Sequence, residues 1–248
     1  MKNIFWLGSL LFVLLFVSSQ KAYAESLEQL YKRAYALEGQ GKPAEEETVW
    51  REIVRQAPNN ASSYSNLGLA LLGNKKPSEA VTACRQALKV DSRYSLALLC
   101  LRMGLIEQEK YSEAEAFWRQ RIQKNPKDAE AYADLGYILA EQGKLSESVG
   151  TCKQALKIAP ENDNSLLCIT NGLIRQNKIG EAISVVDKII QAHPSANRAS
   201  DTQRYVMLGN QLQYLDYIDE AIAVYRKAIR FDPDNLQPQQ ELGALLRK

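Results

Sequence analysis

Residues Ala129 to Asn162 read AEAYADLGYILAEQGKLSESVGTCKQALKIAPEN, and the fold is decided here. Tyr132, Leu135, Ile138 and Leu139 recur at three- and four-residue spacing, which puts them on one face of a helix. Gln142-Gly143-Lys144 breaks the pattern, Val149, Cys152, Leu156 and Ile158 resume it, and Pro160 ends it. Two amphipathic helices joined by a tight turn result. Such a pair cannot bury its apolar faces alone, so it requires neighbours of its own kind.

The neighbours are present on both sides. With Pro160 as position 32 of a thirty-four-residue unit, units run 27–60, 61–94, 95–128, 129–162 and 163–196 without a gap. Asn197 to Asp201 is a five-residue insertion, 202–235 is a sixth unit, and 236–248 adds one helix whose Leu242, Leu245 and Leu246 cap the last unit. A strict period of this length predicts a solenoid of stacked helix pairs.

Each recurring position has a packing reason. Gly68, Gly136 and Gly209 at position 8 face Ala80, Ser148 and Ala221 at position 20, so the two helices of a pair can approach closely. Pro58, Pro126, Pro160, Pro194 and Pro233 end second helices, because proline has no N–H to continue one. Trp50, Trp118 and Tyr225 at position 24 are core aromatics. Units three and five depart from this scheme: Arg102 and Thr170 stand at position 8, with Gly104 and Gly172 two places later, so an altered contact is expected there. Glu45-Glu46-Glu47 reads as the solvated first turn of a helix, where acids are favoured.

The second unit carries Tyr64, Leu67, Gly68, Leu71, Ala80 and Ala87, and the sixth Tyr205, Leu208, Gly209, Leu212, Ala221, Tyr225, Ala228 and Pro233. In these residues the chain resembles the tetratricopeptide repeats over positions 27 to 248. The resemblance implies an all-α, right-handed superhelix of about six helix pairs plus a C-terminal capping helix. It also implies an inner groove lined by fixed positions of each first helix. Here these are Tyr35, Leu69, Leu72, Leu96, Leu99, Met103 and Ile106, followed by Tyr137, Leu167, Asn171, Ile174, Arg175, Asn210 and Tyr214. The family's Lys-Asn-Arg clamp for a terminal carboxylate is not reproduced at its positions. The middle of the predicted groove is apolar, which marks a surface for a peptide or protein segment. The function so implied is a non-catalytic scaffold in envelope complex assembly; the alternative is a holdase or carrier shielding apolar segments of clients.

Cys84 and Cys152 both occupy position 24, and Cys100 and Cys168 position 6 of the following unit, so the pairs repeat at sixty-eight residues. The flanking text repeats too, as in Cys84-Arg-Gln-Ala-Leu-Lys and Cys152-Lys-Gln-Ala-Leu-Lys, which points to doubling of a two-unit module. Four cysteines allow three connectivities. Cys84–Cys100 with Cys152–Cys168 is the one expected, because a second helix packs on the next first helix; each closure is worth roughly 3 kcal/mol. The alternative is four reduced cysteines acting as small buried hydrophobes.

The N-terminus sets the compartment. Lys2, the uncharged run IFWLGSLLFVLLFV at 4–17 and Ala22-Tyr23-Ala24 have the pattern of a three-part secretory signal, for which cleavage after Ala24 is expected. An uncleaved anchor is the competing reading, but the run falls short of the roughly 20 residues a spanning helix needs. The expected location is periplasmic or secreted. Of 31 basic residues the segment removes Lys2 and Lys21, leaving 29 against 29 acidic ones. A neutral mature chain argues against nucleic acid as a partner, and against membrane contact other than through partners. His193, the one histidine, precedes Pro194 in a turn, and neither a phosphate loop nor a metal-ligand spacing occurs, so no cofactor and no catalysis are expected. Intact mass after alkylation without reductant should show no blocked thiol on the purified chain. Four blocked thiols would refute the disulfide pairing.

Overall fold

A computed structural model describes residues 25–192 and 198–247; the expected leader, His193 and Pro194 lie outside the described residues. Among the described residues there are thirteen helices and no strand. They are α1 (Leu27–Gly39), α2 (Pro43–Gln56), α3 (Ala61–Gly73), α4 (Pro77–Val90), α5 (Ser95–Glu107), α6 (Tyr111–Lys124), α7 (Ala129–Glu141), α8 (Leu145–Ile158), α9 (Asp163–Arg175), α10 (Ile179–Ala192), α11 (Arg198–Tyr214), α12 (Ile218–Phe231) and α13 (Leu236–Leu245). None of the described helices is long and apolar enough to cross a membrane. The chain forms two compact units, one ending at Gly104 and the other starting at Leu105, so the division falls within α5.

Local chemistry explains the hairpins. Asn60, Asp128 and Asn162 cap first helices by accepting from the N–H groups of Ser63 (3.0 Å), Ala131 (3.0 Å) and Ser165 (2.7 Å). Two second helices open on Pro43 and Pro77, whose missing N–H costs nothing in a first turn. Between the helices of every pair, position 15 is left-handed: Gly41 and Gly143 have φ of 65° and 75°, while Lys75, Glu109, Asn177 and Asp216 lie between 56° and 66°. Four side-chain-bearing residues accept this conformation despite a cost of about 1–2 kcal/mol each. One turn geometry therefore serves all six hairpins.

In the first unit, Leu30, Ala34, Trp50, Ile53, Leu67 and Leu71 form the buried face of α1 to α3. Glu47, expected in solvent, is only 6% exposed. It is the fifth residue of α2 and turns toward the α3–α4 connection, where it accepts from Arg51 Nε (2.9 Å), Asn74 Nδ2 (2.6 Å) and Lys76 Nζ (2.9 Å). Burial pushes its carboxyl pKa up, but Lys76, Arg51 and Asn74 together pull harder, and the net shift is downward. At the α4–α5 seam Cys84 pairs with Cys100, their Cα atoms 6.0 Å apart and both side chains fully buried. Gly68 lies against both sulfurs, leaving no space for a Cβ. The altered contact expected around Arg102 is a displaced close approach: a Cβ at Gly104 would stand 2.8 Å from Val81 Cγ2.

The second unit repeats these devices sixty-eight residues on. Glu115 accepts from Gln142 Nε2 (2.9 Å), Arg119 Nε (2.8 Å) and Lys144 Nζ (3.0 Å), while Arg119 also reaches Glu147 at 2.6 Å. The hydrogen bonds from Gln142, Arg119 and Lys144 draw its carboxyl pKa down to about 2. Trp118, fully buried, donates its indole N–H to Asp134 at 2.9 Å. Cys152 pairs with Cys168 across α8 and α9, Cα atoms 5.8 Å apart, over Gly136. A Cβ at Gly172 would lie 2.7 Å from Val149 Cγ2, the same displaced approach as at Gly104. Ser148, the polar residue at position 20, is satisfied by the Gly136 carbonyl at 2.7 Å.

The five-residue insertion is helical from Arg198 onward, lengthening α11 by a turn. That turn supplies Asp201, 3% exposed, to Arg204, 6% exposed, at 2.9 Å, and Arg204 also reaches Asp163 at 3.1 Å. A buried ion pair thus sits at this joint, where no other repeat has one among the described residues. In the cap, Leu245 is buried and Leu242 partly so, but Leu246 is 59% exposed and does not cover the last pair.

This packing can be tested by substitution and by pH. Gly136→Ala should destabilise the protein by about 1–2 kcal/mol in urea unfolding, since overpacking outweighs the gain in helix propensity. Replacing Cys152 and Cys168 by alanine should shrink that penalty. For Glu115 the folded-state pKa is depressed, so its contribution is complete above pH 4.5 and lost as pH falls toward 2. Unfolding free energy measured across this range should drop by up to about 3 kcal/mol more in the wild type than in Glu115→Gln.

Candidate functional site

Within the first unit, Leu96, Leu99 and Met103 follow one another at i, i+3 and i+7 and so share one face of α5. Leu99 is 37% and Met103 38% exposed, although their backbone lies in a well-packed helix. Leu96 and Leu69 are half-buried. Tyr35 stands half in solvent on α1 with its ring edge-on to Trp50 at 5.5 Å, which fixes its direction. Leu72, expected with them, is a core residue at 4% exposure. It falls seven residues after Ser65, which is fully buried, and a helix returns to nearly the same face after seven residues.

In the second unit the corresponding face is more polar. Ile106, Tyr137 and Leu167 are half-buried, Arg175 is held by Glu141 at 2.7 Å, and Asn210 and Tyr214 are exposed. Tyr214, at 88% exposure, is the most exposed large apolar side chain among the described residues. Asn210 accepts from the Tyr225 hydroxyl at 2.6 Å, and burial followed by the charge of Glu241 pushes that hydroxyl pKa up to about 12. Tyr225 is therefore a neutral donor that orients Asn210. Asn171 presents a buried Oδ1 with no hydrogen-bond partner among the described residues. An unpaired buried acceptor costs about 1–3 kcal/mol, and the Asn171 oxygen, closed off from solvent, bears that cost inside the packing. Ile174, expected on the same face, is fully buried in the core with Leu173 and Val186.

The positional template thus places twelve of its fourteen residues at least partly at the surface and two in the core. The carboxylate networks of Glu47 and Glu115 escaped it. The signal was present as the repeated Glu-x-x-Trp-Arg of Glu47 to Arg51 and Glu115 to Arg119, but acids in a first turn look alike whether solvated or bonded. Among the described residues no group of three or more His, Cys, Asp or Glu side chains gathers as a metal site would.

Among solved structures, a thermophilic TPR protein of Thermus thermophilus is similar to this chain at a TM-score of 0.51 and 16% identity, covering 76% of this chain and all of its own. PilF of Pseudomonas aeruginosa is similar at a TM-score of 0.50 and 17% identity, covering 88% of this chain and 97% of its own. At such identities the likeness is one of fold. No curated protein sequence matches the chain. Tetratricopeptide-repeat family models match residues 31–95 and 103–163, and a further one matches 202–235. With more than half its length matched, and with one turn geometry and one packing scheme repeated along it, the chain belongs to the tetratricopeptide-repeat family, whose members generally mediate protein–protein interactions.

Proposed function

We propose that this protein is an exported, non-catalytic scaffold that holds a peptide or protein segment against the inner faces of its first helices, in the assembly of a cell-envelope complex. The observation that carries the reading is the α5 face, where Leu99 and Met103 present apolar surface to water from a helix anchored by buried Leu98, Cys100 and Leu101. An apolar or amphipathic segment would gain about 25 cal/mol for each Å² of such surface it covers. Within the second unit, exposed Asn210 and Tyr214 offer polar and aromatic surface of the kind a peptide partner uses. Export is supported by the leader pattern and by two cysteine pairs at disulfide distance, an arrangement that persists in oxidising compartments.

A second reading, a holdase for many clients, draws on Met103, since an unbranched thioether adapts to varied partners. The two readings separate experimentally. With a photo-crosslinker at residue 103 in the cell envelope, the scaffold reading expects one dominant adduct, and Leu99→Asp should weaken binding of that partner at least tenfold. Suppression of aggregation of unrelated unfolded proteins, with no dominant adduct, would favour the holdase and reject the scaffold.

A further inference from the structure

The second unit carries an open surface depression of about 540 Å³ that has no part in the inner faces. It is a trench between α6 and α8, with Tyr132 and Leu135 of α7 at its base. Arg119, Ile122 and Gln123 form one wall, and Glu147, Gly150, Thr151 and Gln154 the other. Gly150 is the most telling residue. It lies in the interior of α8, where glycine costs about 1 kcal/mol against alanine. Unlike Gly136 it is not forced by packing: a Cβ there would meet nothing within 4 Å. In the matching helix sixty-eight residues earlier the same place holds Thr82. The missing side chain opens the trench rather than relieving a contact.

The lining chemistry restricts the occupant. Arg119 and Glu147 neutralise one another at 2.6 Å, so that end offers no net charge to a phosphate or carboxylate. The side chains of Gln123, Thr151 and Gln154 make no hydrogen bond among the described residues. They offer carboxamide and hydroxyl groups, both donors and acceptors, above an aromatic and aliphatic base. A main chain in extended form presents alternating N–H and C=O groups that two opposed carboxamides can bridge, and the gap over Gly150 admits one large apolar side chain. We infer that this trench is a second peptide site, taking an extended, uncharged segment with an aromatic or leucine side chain seated beside Gly150 and Tyr132.

The test uses the chain lacking residues 1–24. Displayed random heptapeptides are panned on it, and enriched sequences are synthesised and titrated by fluorescence anisotropy. Uncharged peptides bearing an aromatic residue or leucine are expected, with affinity reduced at least tenfold by Gly150→Leu and unchanged within twofold by Leu99→Asp. Gly150→Leu fills open space in a helix, so its thermal midpoint should equal or exceed that of the wild type. The double variant Gln123→Ala with Gln154→Ala should also weaken binding, without a filled trench. Enrichment of charged peptides only, no enrichment, or peptides indifferent to both Gly150→Leu and the double variant would overturn the assignment. So would perturbation of the Tyr132 ring resonances by the neutral sugar chitotriose but not by peptide. Loss on Leu99→Asp alone would locate binding at the inner face, leaving that reading intact and this one refuted.

Discussion

The seam between the second helix of one hairpin and the first helix of the next carries the constraint on which the structure depends. A hairpin of two short helices has apolar surface on both sides and too little length to be stable alone, so each seam must close tightly. From α2 to α9 two kinds of seam do this. One places a buried tryptophan beside a carboxylate network, as with Trp50 and Glu47 or Trp118 and Glu115. The other places a cystine against a glycine, as with Cys84–Cys100 on Gly68 and Cys152–Cys168 on Gly136. In the cystine seams sulfur takes the room that an aromatic ring occupies elsewhere: at Gly209 the neighbour is the Tyr225 ring. Glycine at position 8 is common to the two cystine sites and to the Tyr225 site, where Gly209 meets the ring within its own hairpin, whereas the repeats that carry Trp50 and Trp118 have Ala34 and Arg102 there.

Because the seams bear the stability, the inner faces of the first helices are free to carry residues that a core would exclude. Leu99 and Met103 face water from a helix whose opposite side holds buried Leu98, Leu101 and Cys100. The backbone under them is thus positioned mainly by the fully buried side chains on that other side. The same division holds in the second unit, where Tyr225 is locked in the core and yet directs its hydroxyl to Asn210 on the exposed side. Rigid elements presenting adaptable side chains suit recognition of another polypeptide.

The fold was legible because its signal is redundant. The apolar spacing of Tyr132, Leu135 and Leu139 recurs in other units, and the cysteine pairs recur in a frame that names their partners. The site was legible only in outline. A template assigns Leu72 and Ile174 to an exposed face, but whether a residue at that position is covered depends on the rotation of the neighbouring helix, which local sequence does not specify. Glu47 was misjudged for a related reason: its donors Asn74 and Lys76 lie a whole unit away and announce themselves only when two units are laid side by side. The insertion was visible as a break in period, but its form was not: from Arg198 it is a longer helix, with Asp201 and Arg204 as a buried ion pair.

The alternation of the seams has a consequence for how such a chain can lengthen or shorten. Excising Ala61 to Asp128 would bring Trp50, Glu47 and Arg51 against Asp134, Gln142, Lys144 and Glu147, a surface already built to receive their counterparts Trp118, Glu115 and Arg119. Excising only half as much, Ala61 to Tyr94, would set Trp50 against Cys100 and strand that thiol without Cys84. The heritable brick of this protein is therefore the double hairpin. Gene rearrangements that respect it leave no scar, while those that split it expose a reactive sulfur.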